Sequence, residues 1–298
     1  MINKITNPVF KLFLKYNFFN KKDINLFHHC TRDNKNLKSY INITDGSIFL
    51  EKFNRKFSEE FYPKIFKKYR VKIKFKGKDL SLKRVKNDHI RRFYSFKKYL
   101  YKKDVLDFGC GDGEFLNILK KKKITKSFQG VEIRPSSLKR LKKLKITAHQ
   151  SIFEYQKKFD VIFMYHVLEH LPNPIEILKL LKTKLRRNGL LIIEVPSSSD
   201  MLLQNKLLKN FRTFILWSEH LVIYSEILLK KAIKKSGFRR IKLSYLQRYG
   251  LKNHMSWFVL DNPGNEDKFK KLNKIDNLYK SLLEKNKTTD TLIAIVKI

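Results

Sequence analysis

The feature that most constrains the fold is a glycine-rich turn between a short apolar strand and a helix. Residues 104–108 (DVLDF) predict a buried strand, residues 109–113 (GCGDG) a turn, and a helix is predicted from Glu114 to about Lys121. Glycine is needed where the backbone takes a positive φ or where a ligand presses against the main chain. Because ligands bind beyond the carboxyl ends of strands in open α/β sheets, the pattern predicts a ligand site here.

An acidic residue follows at the distance in sequence that is expected of a residue that binds a ribose. Residues 128–132 predict the next strand, and Glu132 at its end lies 19 residues beyond Gly113. In nucleotide-binding Rossmann units, an acidic residue about 20 residues on binds the ribose hydroxyls. The third glycine comes one residue too early for the pyrophosphate fingerprint G-x-G-x-x-G of a nicotinamide dehydrogenase. An adenosine ligand without phosphates, such as S-adenosylmethionine, fits this array better.

Strands and helices alternate along the rest of the chain. Further strands are predicted at residues 159–164, 189–195, 238–245 and 291–298, and helices at residues 81–101, 136–143, 174–185 and 224–235. This alternation predicts a mostly parallel sheet with helices on both faces, and the apolar strands fit burial on both sides. We therefore predict an α/β, Rossmann-like fold in which the final strand can run antiparallel at or near one edge.

Composition raises the question of a polyanionic partner. The chain has 66 basic and 27 acidic residues and a net charge of +39. Nucleic acid or an anionic surface is one interpretation of that charge. Codon bias is the other, and we favour it. Lysine outnumbers arginine by 52 to 14, alanine occurs three times, and the basic residues are spread along the whole chain.

Two further observations bear on the compartment. No run approaches the roughly 20 apolar residues that cross a bilayer, and the first residues lack the order of a secretory signal. Cys30 and Cys110 are too few for a disulfide framework. We expect a cytoplasmic protein.

Three motifs together resemble those of class I S-adenosylmethionine-dependent methyltransferases. They are residues 107–113 (DFGCGDG), 130–132 (GVE) and 159–174 (FDVIFMYHVLEHLPNP). The resemblance is strong over about residues 100–200, is weaker around residues 219–221 and 237–238, and looks closest to the branch with ubiquinone-type and sugar-modifying enzymes. It implies a seven-stranded sheet whose last strand is antiparallel.

The resemblance also implies the cofactor contacts. The strand end and the glycine turn would meet the amino-acid part, the acidic strand end would hold the ribose, and the residue after it would pack on adenine. A serine stands at the adenine edge, where the family often has an acidic residue, and two residues after the fourth strand would line the methionine end. The predicted contacts are Asp107, Gly109, Cys110, Gly111, Gly113, Glu132, Ile133, Ser151, Ile152, Tyr165 and His166.

We predict two parts of the chain. Residues 1–80 form an N-terminal extension, with a β-hairpin whose turn is Asp45-Gly46 and a helix within residues 51–76 around Pro63. Residues 81–298 form the methyltransferase domain, in which residues 200–222 and 246–285 lie on the acceptor side.

Several side chains are candidates for chemistry on the acceptor. His170 and His220 are the candidate catalytic groups, and local packing is the alternative for His170. Tyr249, Asn253 and His254, near Trp257, form a polar and aromatic segment that suits a sugar, although a packing role fits equally well.

The sequence also contains features that we interpret as lacking a direct chemical role. Arg91 and Arg92 could reach a carboxylate, but a solvated helix face is favoured. His28-His29-Cys30 has no second ligand cluster nearby, so no metal site is predicted.

The sequence thus predicts a methyltransferase that acts on a small molecule or a saccharide, such as a surface-polysaccharide precursor. The alternative is an RNA methyltransferase that uses its basic surface. No RNA-binding module is recognisable, and the intact glycine turn with Glu132 argues against a non-catalytic binding protein.

Overall fold

A computed structural model describes residues 4–53, 74–75, 78–263 and 266–298. The strands in these residues are β1 (Ile24–His28), β2 (Ser39–Asn42), β3 (Ile48–Leu50), β4 (Lys74–Phe75), β5 (Lys78–Asp79), β6 (Asp104–Phe108), β7 (Ser127–Val131), β8 (Ala148–His149), β9 (Phe159–Tyr165), β10 (Leu185–Pro196), β11 (Val222–Ile223), β12 (Arg240–Leu246) and β13 (Thr291–Lys297). The main sheet has the order β12-β13-β10-β9-β6-β7-β8. Only β13 in this sheet runs antiparallel to its neighbours β10 and β12. The predicted α/β, Rossmann-like, seven-stranded fold is confirmed.

The described residues also form ten α-helices. They are α1 (Pro8–Lys15), α2 (Leu80–Phe96), α3 (Glu114–Lys122), α4 (Pro135–Lys143), α5 (Pro174–Thr183), α6 (Met201–Gln204), α7 (Lys209–Ile215), α8 (Glu226–Lys235), α9 (Leu251–Leu260) and α10 (Asp276–Lys285). None of the helices in the described residues is long and apolar enough to cross a membrane.

The two faces of the sheet are covered by different helices. Because side chains alternate along a strand, Ile162 and Met164 of β9 pack with α1, α5 and α8, whereas Val161 and Phe163 pack with α2, α3 and α4. Strand β10 alternates in the same way. Its Leu190 and Ile192 lie on the α2 face, which places Glu194 on that face as well.

The N-terminal extension is built into the molecule. At the position of the predicted hairpin, β2 and β3 pair antiparallel, and they join β1 and β11 in a second sheet, β1-β2-β3-β11. Asn7, before α1, is fully buried, and its Nδ2 donates to the carbonyl oxygens of Leu50 at 2.9 Å and Leu221 at 2.7 Å. These contacts tie α1 to β3 and to the segment before β11. The helix predicted within residues 51–76 falls almost wholly outside the described residues.

Candidate active site

The three glycines of the turn after β6 serve two purposes. Gly109, Gly111 and Gly113 all have positive φ, at 79°, 56° and 78°. A Cβ on Gly109 would lie 2.3 Å from a Val167 methyl, and one on Gly113 would lie 2.4 Å from a Leu141 methyl. A Cβ on Gly111 would meet only the Arg134 guanidinium, at 3.3 Å. Two glycines therefore allow the protein to pack on itself, and Gly111 is the one that opens outward.

Cys110, between these glycines, turns its side chain inward. It is 7 % exposed, and its Sγ would lie 2.4 Å from a Cβ on Gly130. Burial raises the pKa of the Cys110 thiol well above its ordinary value. Its backbone N–H donates to the carbonyl of Val131, at 3.0 Å. Cys110 therefore fixes the turn against β7 and presents no reactive thiol at the surface.

Glu132 follows β7 and is held by its own loop. Its Oε1 accepts from the backbone N–H of Arg134 at 2.9 Å and from Arg134 Nε at 3.1 Å. The carboxylate is nearly buried, at 5 % exposed. Arg134 therefore covers both Glu132 and the outward side of Gly111. Arg134 and a ribose would therefore compete for the Glu132 carboxylate.

Asp107, at the end of β6, is a buried acid in which one carboxylate oxygen accepts no hydrogen bond from the described residues. It is 3 % exposed, and its Oδ1 has no hydrogen-bond partner among the described residues. Burial raises the pKa of Asp107 to about 7, against the opposing effect of Arg92. An unsatisfied buried acceptor is costly, and a ligand that donates hydrogen bonds or brings a positive charge would satisfy it.

Glu194, on the α2 face of β10, is the centre of a buried ion cluster. Arg92 Nη2 donates to Glu194 Oε1 at 2.7 Å, and Arg91 Nη2 donates to both carboxylate oxygens at 3.0 Å. Burial alone would raise the pKa of Glu194, but Arg92 and His166 hold it well below its ordinary value. The interpretation of Arg91 and Arg92 as a solvated helix face is wrong, because Glu194 on the adjacent strand draws both into the protein.

His166 links this ion cluster to the segment after β9. Its Nδ1 lies 3.2 Å from Glu169 Oε1, and its Nε2 lies 3.3 Å from Glu194 Oε1. Burial lowers the pKa of His166, but the two carboxylates raise it by more, so it lies above its ordinary value. The backbone of His166 is left-handed, with φ 54°. Such strain in a non-glycine residue is typical of functional sites.

His170 and His220, the predicted catalytic candidates, are brought together. Their ring centroids lie 4.9 Å apart, and His170 Nδ1 donates to the carbonyl of Glu219 at 3.0 Å. Burial lowers the pKa of His220 to about 3 and also lowers that of His170. Glu169 beside them is fully buried. Burial raises the pKa of Glu169, but His166 and the other two histidines lower it by more, so that it falls to about 2.

The remaining predicted cofactor residues lie at the ends of β7, β8 and β9. Ile133 is 66 % exposed, which leaves its side chain available to a flat ring. Ser151 caps a 3-10 turn through a hydrogen bond from the Phe153 N–H, and Ile152 is buried. Tyr165 is buried beneath the Arg92 guanidinium, which lies 4.4 Å from the ring centroid. The Tyr165 hydroxyl has no partner among the described residues.

The predicted substrate segment forms helix α9 and its approach. Asn253 and His254 are 7 % and 2 % exposed. Gln247 Nε2 donates to His254 Nε2 at 3.2 Å, and His254 Nδ1 pairs with the Tyr279 hydroxyl at 2.8 Å. Tyr249 is half-buried beside Arg248. These bonds favour a packing role for His254, whereas Tyr249 lies nearer the surface.

Sequence reasoning missed Glu169, Glu194 and Arg248 as members of the site. Arg248 Nη1 lies 3.3 Å from His166 Nε2, and its Nε lies 3.4 Å from Asp290 Oδ1. Glu194 carried a usable signal, because a carboxylate inside an apolar strand that is buried on both faces needs a partner. Arg248 carried no comparable signal.

The residues fit the expected cofactor. The spare acceptor of Asp107, the carboxylate of Glu132 and the outward side of Gly111 suit a ligand that brings an ammonium group and ribose hydroxyls. The sheet topology and these strand-end groups define a Rossmann-like α/β enzyme that binds a nucleoside-containing ligand.

Comparisons with known proteins identify the family. A family model described as a methyltransferase domain matches residues 82–243. This match spans more than half of the chain, which therefore belongs to the methyltransferase-domain family. The predicted enzyme class is confirmed.

This chain is similar to several individual proteins, of which the first named here supports the fold. An S-adenosylmethionine-dependent methyltransferase from Archaeoglobus fulgidus is 22 % identical, with a TM-score of 0.52, over 80 % of this chain and 100 % of that chain. One from Thermotoga maritima is 13 % identical, with a TM-score of 0.48, over 79 % of this chain and 95 % of that one. A tRNA U34 carboxymethyltransferase from Nautilia profundicola is 36 % identical over 107 residues, 32 % of this chain. The match spans 35 % of that relative's length.

Proposed function

We propose that this protein transfers a methyl group from S-adenosylmethionine to a small molecule or a saccharide. The observation that carries the proposal is the pair of buried carboxylates at the ends of β6 and β7, Asp107 and Glu132, on either side of the outward-facing Gly111. The bound cofactor supplies a methyl group on a sulfonium, which needs no further activation.

The residues of the chain bind and orient the two reactants. Asp107 accepts hydrogen bonds from the amino-acid part of the cofactor, and Glu132 accepts from the ribose once Arg134 has moved aside. Glu194 and Arg92 hold α2 against the sheet, which fixes the Tyr165 ring below the site. His170 and His220 lie on the acceptor side, and we propose that they contact the acceptor. Rigid placement of this kind is the main contribution of such an enzyme to rate.

The distribution of charge supports a small acceptor. Exposed lysines lie on both faces of the sheet, for example Lys122 and Lys139 on the face covered by α2, α3 and α4, and Lys179 and Lys234 on the opposite face. Nucleic-acid-binding domains typically cluster their basic residues on one face or along one helix. We therefore infer that the net charge of +39 reflects composition.

RNA is the second candidate acceptor. It is favoured by the identity to the tRNA U34 carboxymethyltransferase, together with the high net charge. That similarity spans 32 % of this chain and 35 % of that relative, so the activity of the whole relative does not carry over to this chain.

Two measurements test the proposal. Calorimetry with S-adenosylmethionine on the full chain should show one binding site, and no binding would refute the function. Incubation with methyl-labelled cofactor and a cell extract, followed by fractionation, should place the label in the small-molecule or glycan pool. Label in RNA would instead establish the second candidate.

We further propose that the enzyme acts in the cytoplasm.

A further inference from the structure

A glutamate and two histidines converge on one point of the acceptor side. Glu169 and His170 belong to the 3-10 turn Leu168–His170 after β9, and His220 lies two residues before β11. One donor atom from each residue lies within 4.8 Å of the other two. In the part of the chain that the structure describes, no other group of three or more His, Cys, Asp or Glu side chains meets this criterion.

Neighbouring groups orient two of these three side chains. His166 Nδ1, 3.2 Å away, holds Glu169 Oε1. The carbonyl of Glu219 can only accept, so His170 Nδ1 carries the proton, and a neutral His170 ring has its lone pair on Nε2. His170 Nε2 lies 4.0 Å from Glu169 Oε1. A histidine whose far nitrogen donates to a carbonyl is the usual arrangement of a metal ligand.

Two atoms of these side chains lack a hydrogen-bond partner among the described residues. They are Glu169 Oε2 and His220 Nδ1, and both are buried. Each buried unsatisfied polar atom costs about 1–3 kcal/mol, so native structures keep few of them. Two such atoms in one cluster indicate a ligand that accepts electron pairs from both.

We propose that Glu169, His170 and His220 bind a divalent first-row transition-metal ion such as Zn²⁺. Two imidazoles and one carboxylate suit this class of ion, whereas Mg²⁺ and Ca²⁺ prefer oxygen ligands. Donors in a tetrahedral zinc site lie about 3.4 Å apart, so modest side-chain rotation closes the cluster around the ion.

Three protein ligands leave a coordination position open, as in catalytic rather than structural zinc sites. We infer that a hydroxyl oxygen of the acceptor takes this position. This last step rests on the proposed function, whereas binding of the metal does not. The site revises the expectation of no metal, which considered only ligands close together in sequence.

The test measures metal on the purified full-length protein stripped with a chelator. Titration with Co²⁺ should give a visible absorption band at one ion per chain, and Zn²⁺ should displace it. His220→Ala and Glu169→Gln should each weaken binding at least about 100-fold, more than the loss of an outer-shell partner. His29→Ala is the matched control, because His29 is exposed and belongs to the histidine pair for which no site is proposed.

Circular dichroism checks that each variant is folded, and His170→Ala replaces any that is not. Equal Co²⁺ binding by wild type and the folded cluster variants would overturn the proposal, as would no binding by the wild type. Calorimetry with S-adenosylmethionine on the same samples separates the two ideas. Metal binding without cofactor binding would refute the proposed function and leave the metal site standing.

Discussion

The proposed cofactor end of this molecule and the buried polar clusters beyond it are assembled in opposite ways. At the proposed cofactor end, Asp107, the glycine turn and Glu132 lie within 26 consecutive residues and are placed by two adjacent strands. In the polar clusters the partners are distant in sequence, since Arg92 meets Glu194 across 102 residues and His170 meets the Glu219 carbonyl across 49. The residues of the first region are brought together by their spacing in the sequence. Those of the second are brought together only by the tertiary fold.

The two regions also differ in how their charges are satisfied. Glu194 is fully occupied by arginines and His166, so it stabilises the folded chain. Asp107 keeps an unpartnered oxygen, so it is available to a ligand. We therefore expect substitution of Glu194 to affect stability first, and substitutions of Gly111 and Glu132 to affect binding first.

Glu194→Ala should give the largest effect. It leaves Arg91 and Arg92 without their buried carboxylate, and breaking a buried pair in this way lowers the free energy of unfolding by about 3–5 kcal/mol. Denaturant unfolding measures this change. Glu176→Ala is the control, because the Glu176–Lys179 pair is exposed and its loss should leave the unfolding midpoint unchanged. Equal midpoints for wild type and Glu194→Ala would remove the distinction between the regions.

Gly111→Val should abolish cofactor binding, because its side chain occupies the outward side of the turn. We expect at least about a 100-fold loss of affinity by calorimetry, equivalent to about 2.7 kcal/mol. Gly109→Ala provides the contrast. Its Cβ would strike Val167, so its melting temperature should fall further. Normal affinity in a folded Gly111→Val variant would show that the cofactor lies elsewhere.

Glu132→Ala should weaken cofactor binding by about 1–3 kcal/mol, the scale of lost charge-assisted hydrogen bonds. Arg134→Ala is the informative partner, since Arg134 donates hydrogen bonds to the same carboxylate. Its affinity should be equal to or greater than that of the wild type. A weaker Arg134→Ala would mean that Arg134 itself contacts the cofactor.

The titration of Asp107 should give the smallest effect. Its folded pKa of about 7 lies above the unfolded value of 3.8, so the stability it contributes is present at low pH and is lost as pH rises through 7. The cofactor ammonium favours the carboxylate, so affinity should rise roughly 5- to 10-fold from about pH 6 to about pH 7.5. In calorimetry, Asp107→Asn should remove the dependence of cofactor affinity on pH. An unchanged dependence would mean that another group titrates.

Much of the fold could be predicted from the sequence because its strands are apolar and its turns are marked by glycine. The strand at residues 104–108 is confirmed residue for residue, and the helix predicted from Glu114 to about Lys121 ends at Lys122. Helix α9 was not predicted, since its polar and aromatic residues show no clear amphipathic period. The short strand β11 owes its pairing to β3, far away in sequence.

The same reasoning explains which site residues were found. The glycine turn and Glu132 are recognisable from spacing alone, whereas the partners of Arg91 and Arg92 depend on how α2 lies against β10. An arginine pair on a polar helix looks the same in sequence whether it faces water or a buried glutamate. The sequence therefore predicts a detailed set of cofactor contacts, which stays a prediction, and indicates the acceptor side only as separate histidines.

The bond from Asn7 to the Leu221 carbonyl has an evolutionary consequence. Leu221 is the neighbour of His220, so the N-terminal residues hold the backbone that carries an acceptor-side group. Mutations there can shift the position of His220 while the glycine turn is untouched. Acceptor preference in such a chain can diversify through changes distant from the reacting atoms, and the nucleoside-binding half is inherited unaltered.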